Sequence, residues 1–235
     1  MALSAMKSLS VVIHQPEYFP WANLFKKMYC ADVFIFLDDV QYVRRSFQNR
    51  NKVKTKEASA WLTVPVLRSN RDEKISNIKI DNEKKWKEQH GKLIYDSYHK
   101  TEYFSKLRSI LDGVFRQEWG FLNELCQDST IQVAKAMGLS TEFMASSDFK
   151  ETGAASEKIL NLCKAVGATE YVTGLGSKSY LEEEDFECAN IRIKYISPIH
   201  FKYKQLHMSQ GFVADLSILD FLFHNGPDAL KEWRE

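Results

Sequence analysis

Long apolar runs are missing from this 235-residue chain. No stretch approaches the roughly 20 residues that a membrane span requires, and residues 1–9 lack the apolar centre of a secretory signal. A protein working in the cytoplasm is the expectation. The four cysteines, Cys30, Cys126, Cys163 and Cys188, form no CxxC pair and are widely scattered. That excludes a zinc knuckle and a disulfide framework, and they read as buried thiols in a reducing compartment. An excess of charge of one sign is also absent. Lys and Arg total 32 against 31 for Asp and Glu, so no global field exists to hold DNA or an anionic membrane, and nucleic acid is disfavoured as the main partner, a reading left only to the basic stretch 44–56. No H-E-x-x-H, H-x-x-E-H or G-x-S-x-G signature occurs, which removes metallopeptidase and α/β-hydrolase readings. Neither a repeat nor a linker of unusual composition breaks the chain, so one α/β domain over 1–235 is expected, with a helical subregion at about 83–137.

What is present is ample material for a core: 44% hydrophobic residues and 13% aromatic ones. Leu9-Ser-Val-Val-Ile13 is a short, β-branched run stopped by Pro16, the pattern of a buried strand entering a turn. Trp21, Leu24, Phe25 and Met28 then fall on one helical face. Val33-Phe-Ile-Phe-Leu37 is uniformly apolar, as a central parallel strand is, and gives way to Asp38-Asp39. Strand, helix and strand make a βαβ unit. The basic stretch 44–56 reads as a loop or connecting ribbon, and 61–66 and 75–80 read as strands. Residues 83–137 carry helical spacing, and Gly138 stops the last helix before a strand over 141–144. Ser156–Val166 reads as a helix ended by Gly167, Glu170–Thr173 and Ile191–Ile196 as strands, and Val213–Phe223 as a C-terminal helix. The fold class expected is α/β with a mainly parallel sheet and flanking helices.

Several clusters carry chemistry or packing. His14-Gln15-Pro16-Glu17-Tyr18-Phe19-Pro20-Trp21 makes a rigid loop at the exit of the first strand, where α/β folds bind ligands. Its aromatics serve equally well to plug the edge of the sheet, and His14 as a core histidine. Asp38 and Asp39, leaving a core strand, must be solvated, paired or bound to a cation such as Mg²⁺. Consecutive residues point to opposite faces, so at most one looks into a site; a helix cap or a pair with Arg44 or Arg45 remains the alternative. Gln41 follows on the same rim. Arg44, Arg45, Arg50 and Lys52, with Asn49 and Asn51 between them, suit phosphate or carboxylate groups, or form a solvated face. Arg50 and Asn51 are the ligand contacts chosen here. Thr173-Gly174-Leu175-Gly176-Ser177-Lys178 is of the kind that cradles phosphate, with Gly174, Gly176 and Ser177 letting backbone N–H groups approach and Lys178 meeting the charge. The full GxxxxGK[ST] spacing is absent, so a tight turn is the rival reading. His200 and His207 are candidate acid–base groups; surface or core packing is the better reading of each without a partner in view, and His200 is also carried as a candidate ligand contact.

These residues carry a resemblance. His14-Gln15-Pro16-x-Tyr18-Phe19-Pro20-Trp21, Leu37-Asp38-Asp39-Val40-Gln41, Asn49-Arg50-Asn51-Lys52, Trp61–Pro65, Tyr171–Lys178 and Leu216-Ser-Ile-Leu-Asp220-x-Leu-Phe223 together resemble the WbqC-like family over about residues 9–226. The resemblance implies a place in bacterial surface-polysaccharide biosynthesis, attaching an amino acid or acyl group to a nucleotide-linked amino sugar. The order of strand, His14 turn, helix, strand and later Gly-Ser-Lys loop is similar to nucleotidyltransferase-like, Rossmann-like cores. By that likeness His14, Asp38, Asp39 and Lys178 are the catalytic candidates, with ATP as cosubstrate and Mg²⁺ on Asp38 or Asp39. Gln15, Tyr18 and Trp21 would join Gln41, Arg50 and Asn51 in holding substrate. Such cores usually carry two histidines in the early loop; here there is one. An ATP-independent acyltransferase and a non-catalytic sugar- or partner-binding protein, stacking sugar on Tyr18, Phe19 and Trp21, stay open. So does the choice between monomer and homodimer.

Overall fold

The computed structural model describes residues 8–198 and 202–229. In chain order the elements are β1 (Ser10–His14), α1 (Ala22–Tyr29), β2 (Val33–Phe36), β3 (Arg50–Lys54), β4 (Ser59–Thr63), α2 (Trp86–Tyr98), α3 (Phe104–Arg116) and α4 (Leu122–Ala136). They continue with β5 (Glu142–Ala145), α5 (Ala155–Ala165), β6 (Glu170–Gly174), α6 (Glu183–Cys188), β7 (Arg192–Ile196) and α7 (Ile218–Asn225). The chain forms two compact units. The first comprises residues 1–14, 27–37 and 140–199; the second comprises 15–26, 38–139 and 200–235.

The first unit is an α/β layer structure. Its sheet has the order β5-β2-β1-β6-β7, and every pairing is parallel. The inner strands are apolar because both faces are covered: all four residues of β2 are buried, as are Val11, Val12 and Ile13 of β1. The edges carry charge instead, with Arg192 and Lys194 on β7 and Glu142 on β5, which discourages further strands from adding on. One face packs Val11, Ile13, Val33 and Ile35 against Ile159, Leu162 and Cys163 of α5 and Phe186 of α6. The other holds an aromatic cluster of Phe34, Phe36 and Phe143, with centroids 4.8–6.0 Å apart.

The second unit combines α2, α3, α4 and α7 with the antiparallel hairpin β3–β4. The 44–56 ribbon is therefore half turn and half strand. Three expectations need correction. Ile75–Ile80 is not a strand: Ile75–Asn77 is a 3-10 turn, and the segment meets its neighbours through single backbone hydrogen bonds and isolated bridges at Lys79 and Ile80 instead of a ladder. Spacings of three and then two between isoleucines fit one helical turn leading into an extended pair. The C-terminal helix starts at Ile218, not Val213, because Asp215 adopts φ 54 and Ser217 caps Leu219 N through its hydroxyl. Only two cysteines are buried, Cys126 and Cys163; Cys30 is half-buried and Cys188 exposed.

Helix α7 stops where Gly226 takes φ 80, and a Cβ there would lie 2.6 Å from Cε1 of Tyr103. Gly226→Ala is therefore expected to destabilise the protein by about 1–3 kcal/mol through backbone strain and overlap, read from the urea midpoint.

Candidate functional site

Relabelled by their order in the chain, the five sheet strands run 3-2-1-4-5, with the reversal between β1 and β6. Ligands of open α/β sheets bind outside the carboxyl ends of the strands at such a reversal. The ladder itself yields at that place. β1 and β2 share four register pairs and β6 and β7 five, but β1 and β6 share only Ser10–Glu170 and Val11–Tyr171. Beyond them, His14 ends β1 and Gly174 ends β6 with no pairing between the two strands.

His14 is half-buried, and its carbonyl accepts a 2.8 Å hydrogen bond from Leu37 N. After β6 the chain tightens into a 3-10 turn over Leu175–Ser179. The buried Ser177 hydroxyl braces it, donating to Gly174 O at 2.8 Å and lying 3.1 Å from Thr173 Oγ1. Gly174 has φ −91, Gly176 has no positive φ, and a Cβ built on either meets nothing within 4 Å. Neither backbone conformation nor packing asks for glycine at these positions. Lys178 is exposed, with its ammonium 4.6 Å above the Tyr195 ring, whose hydroxyl donates to Glu183. His14 and the 174–178 turn thus stand at the carboxyl ends of neighbouring parallel strands of the first unit.

The remaining candidates belong to the second unit, where most are engaged. Gln15 Oε1 accepts from Gln48 Nε2 at 2.7 Å. Tyr18 is fully buried, its hydroxyl 3.1 Å from His90 Nδ1, and Phe19 is equally buried. Those two rings plug a core and offer no stacking surface; Trp21 is half-buried and bridges to Ser217. Asp38 is 1% exposed, and its carboxylate accepts from Asn123 Nδ2 at 2.9 Å. Asp39 is half-buried. Gln41 donates to Arg71 O at 2.9 Å. Arg50 stacks its guanidinium 4.0 Å from the Trp61 centroid and donates to Arg45 O, while its Nε is buried without a hydrogen-bond partner. Asn51 is buried and donates to Phe19 O at 2.7 Å, holding the early loop in place. His200 lies outside the described residues.

Among the described residues no three His, Cys, Asp or Glu side chains gather to hold a metal. Asp38 and Asp39 would supply at most two carboxylates, one already committed to Asn123. Mg²⁺ is usually held by one or two carboxylates together with water and substrate phosphates, which is the number of carboxylates this pair offers.

Two buried polar groups stand outside the candidates chosen from the sequence. His90 sits between Tyr18 and Trp86, and burial pushes its pKa down to about 4 although a hydrogen bond with the Thr63 backbone opposes the shift. In the unfolded chain that ring protonates near pH 6.5. Its contribution is complete above pH 6.5 and is lost as pH falls from there to about 4, by about 3 kcal/mol. Urea unfolding across that window should show the loss, and His90→Gln should flatten it. The second group is Asp220, fully buried. An acid inside the run Leu216-Ser-Ile-Leu-Asp-Phe-Leu-Phe223 was the available signal, since a carboxylate flanked so completely must be paired.

Comparison with known proteins finds relatives for nearly the whole chain. The model of the WbqC-like protein family matches residues 15–232. A protein of Mycobacterium tuberculosis described as uncharacterized is 32% identical over 236 residues, covering 98% of this chain and 100% of the relative. No solved structure matches. No helix among the described residues is long and apolar enough to cross a membrane.

Proposed function

The chain belongs to the WbqC-like protein family, and we propose that it transfers an acyl or aminoacyl group to the amine of a nucleotide-linked amino sugar in polysaccharide biosynthesis. The sugar nucleotide's phosphates lie against the turn after β6. Lys178 offsets their charge, and Gly174 and Gly176 let the backbone come close. His14, across the strand reversal, takes the proton that the amine releases as its nitrogen attacks the carbonyl of the donor. The carbonyl carbon then forms the amide and expels the donor's leaving group. Where ATP activates a carboxylic acid to make that donor, the leaving group is inorganic phosphate from an acyl phosphate or AMP from an acyl-adenylate; a preformed thioester would expel its thiol.

One observation carries this reading: two glycines that the protein's own packing does not require stand beside a lysine at the carboxyl edge of the sheet reversal. Gly176→Val tests it, because the space around the Cα is open and the fold should tolerate the side chain. Titration calorimetry with UDP-glucosamine should show affinity reduced about tenfold or more in the variant, from lost hydrogen bonds to charged oxygens, with the urea midpoint unchanged. Equal affinity in both proteins contradicts the reading. A parallel titration with ATP and Mg²⁺ distinguishes the donors: binding of the sugar nucleotide without binding of ATP defeats the ATP-dependent ligase.

A further inference from the structure

We propose that the second unit carries a separate binding site for a phosphate-bearing small molecule, in a groove between residues 41–44 and the 67–79 loop. This does not depend on the transferase reading, and every residue it uses lies outside the β6 turn.

The groove consists of two adjoining hollows of about 500 and 340 Å³ that share Ser69 and Asn70, within the size range of small-ligand pockets. Their walls hold four cations, Arg44, Arg68, Arg71 and Lys79, and one acid, Glu73. Glu73 is occupied in accepting from Asn77 Nδ2 at 2.8 Å, and the neighbouring Asp72 accepts from Gln41 Nε2 at 3.3 Å. Among the described residues no ion pair neutralises any of the four cations. Four cations against the carboxylates of Glu73 and the neighbouring Asp72 leave a net positive charge in a concave polar site, which draws an anion with several acceptor oxygens. Arginine's planar fork matches phosphate in particular.

The groove is also fixed in shape. Tyr42 N donates to Glu73 O at 2.8 Å, Ile75 N to Val40 O at 2.9 Å and Leu67 N to Lys79 O at 2.9 Å, which pins the loop at its base. Its tip is tied by Gln41 Nε2 to Arg71 O at 2.9 Å and by Arg44 to Ser69 O at 3.2 Å. A site held in place before the ligand arrives loses less entropy on binding. Arg44 has five N–H donors and uses one here. The amide of Asn70 and the hydroxyl of Ser69 line both hollows and suit the hydroxyl groups of a phosphorylated sugar.

Glucose 1-phosphate is the probe, followed by backbone amide NMR shifts, with glucose as the uncharged control. The result expected is saturable shifts at residues 41–44 and 69–71 with glucose 1-phosphate and none with glucose. The double variant Arg44→Gln, Arg71→Gln should weaken binding about tenfold or more, and thermal unfolding should be little changed because both side chains are exposed. Shifts confined to residues 174–178, equal shifts with glucose, or unchanged affinity in the double variant would each overturn the groove. The first of these would leave the transferase site untouched, so failure here is distinguishable from failure there. If the double variant loses folded signal, Arg68→Gln alone, whose guanidinium makes no hydrogen bond among the described residues, decides the matter by the same titration.

Discussion

Replacing Asp220 by alanine is expected to lower the unfolding free energy by about 3–5 kcal/mol, a large share of the stability of an ordinary domain. The carboxylate is fully buried and anchors a network in the second unit. Tyr98 donates to Oδ1 at 2.9 Å, and Tyr203 and Gln205 donate to Oδ2, the latter at 3.0 Å. Gln205 Oε1 in turn accepts from the buried ammonium of Lys54 at 3.1 Å, and Lys54 donates to Gly211 O at 2.7 Å. One amide thus relays charge between a buried cation and a buried anion. Burial, with the Asp220 charge next in size, holds both the Tyr98 and Tyr203 hydroxyls well above their ordinary pKa, so both stay protonated and donating. Removing the carboxylate strands three donors in a dry interior, each costing about 1–3 kcal/mol. Urea unfolding followed by tryptophan fluorescence checks the size of the loss. Asp220→Asn, which keeps the shape and two acceptor sites, should cost less than alanine; a loss under about 1 kcal/mol for alanine would contradict the network's role.

Lys178→Ala is expected to lower kcat/KM for the sugar nucleotide by about 10–100-fold, the cost of losing a charge-assisted hydrogen bond to a substrate phosphate. The side chain is exposed and rests on Tyr195 alone among its described contacts, so the urea midpoint should change by no more than about 1 kcal/mol. Assays of amide formation on UDP-glucosamine measure it. An undiminished kcat/KM would remove Lys178 from the site, and with it the role of the turn.

Much of the first unit was legible in the chain. Val33–Leu37 and Leu9–Ile13 are apolar on both faces because they sit inside a parallel sheet, and that continuity is visible without coordinates. The Gly174–Lys178 turn announced itself by composition. Ile75–Ile80 misled because alternation over so short a span also arises from a single 3-10 turn, and only the packing of the second unit decides between them. Tyr18 and Phe19 looked like a surface for ligands because two prolines and three aromatics crowd one loop, whereas their burial depends on contacts with His90 and Phe115, far along the chain. The basic groove was only half visible: Arg44 stood in a conspicuous charge run, but its companions Arg68, Arg71 and Lys79 join it through the pinned 67–79 loop.

The central proposal is that ligand phosphates meet the protein where β1 and β6 part. Photolabelling with an azido derivative of UDP-glucosamine, followed by mass spectrometric mapping of the adduct, tests it most directly. Adducts on peptides containing His14 or residues 174–180, suppressed by excess unmodified sugar nucleotide, are the predicted result. Labelling that is competed away yet falls elsewhere, with those peptides unmodified, would contradict it.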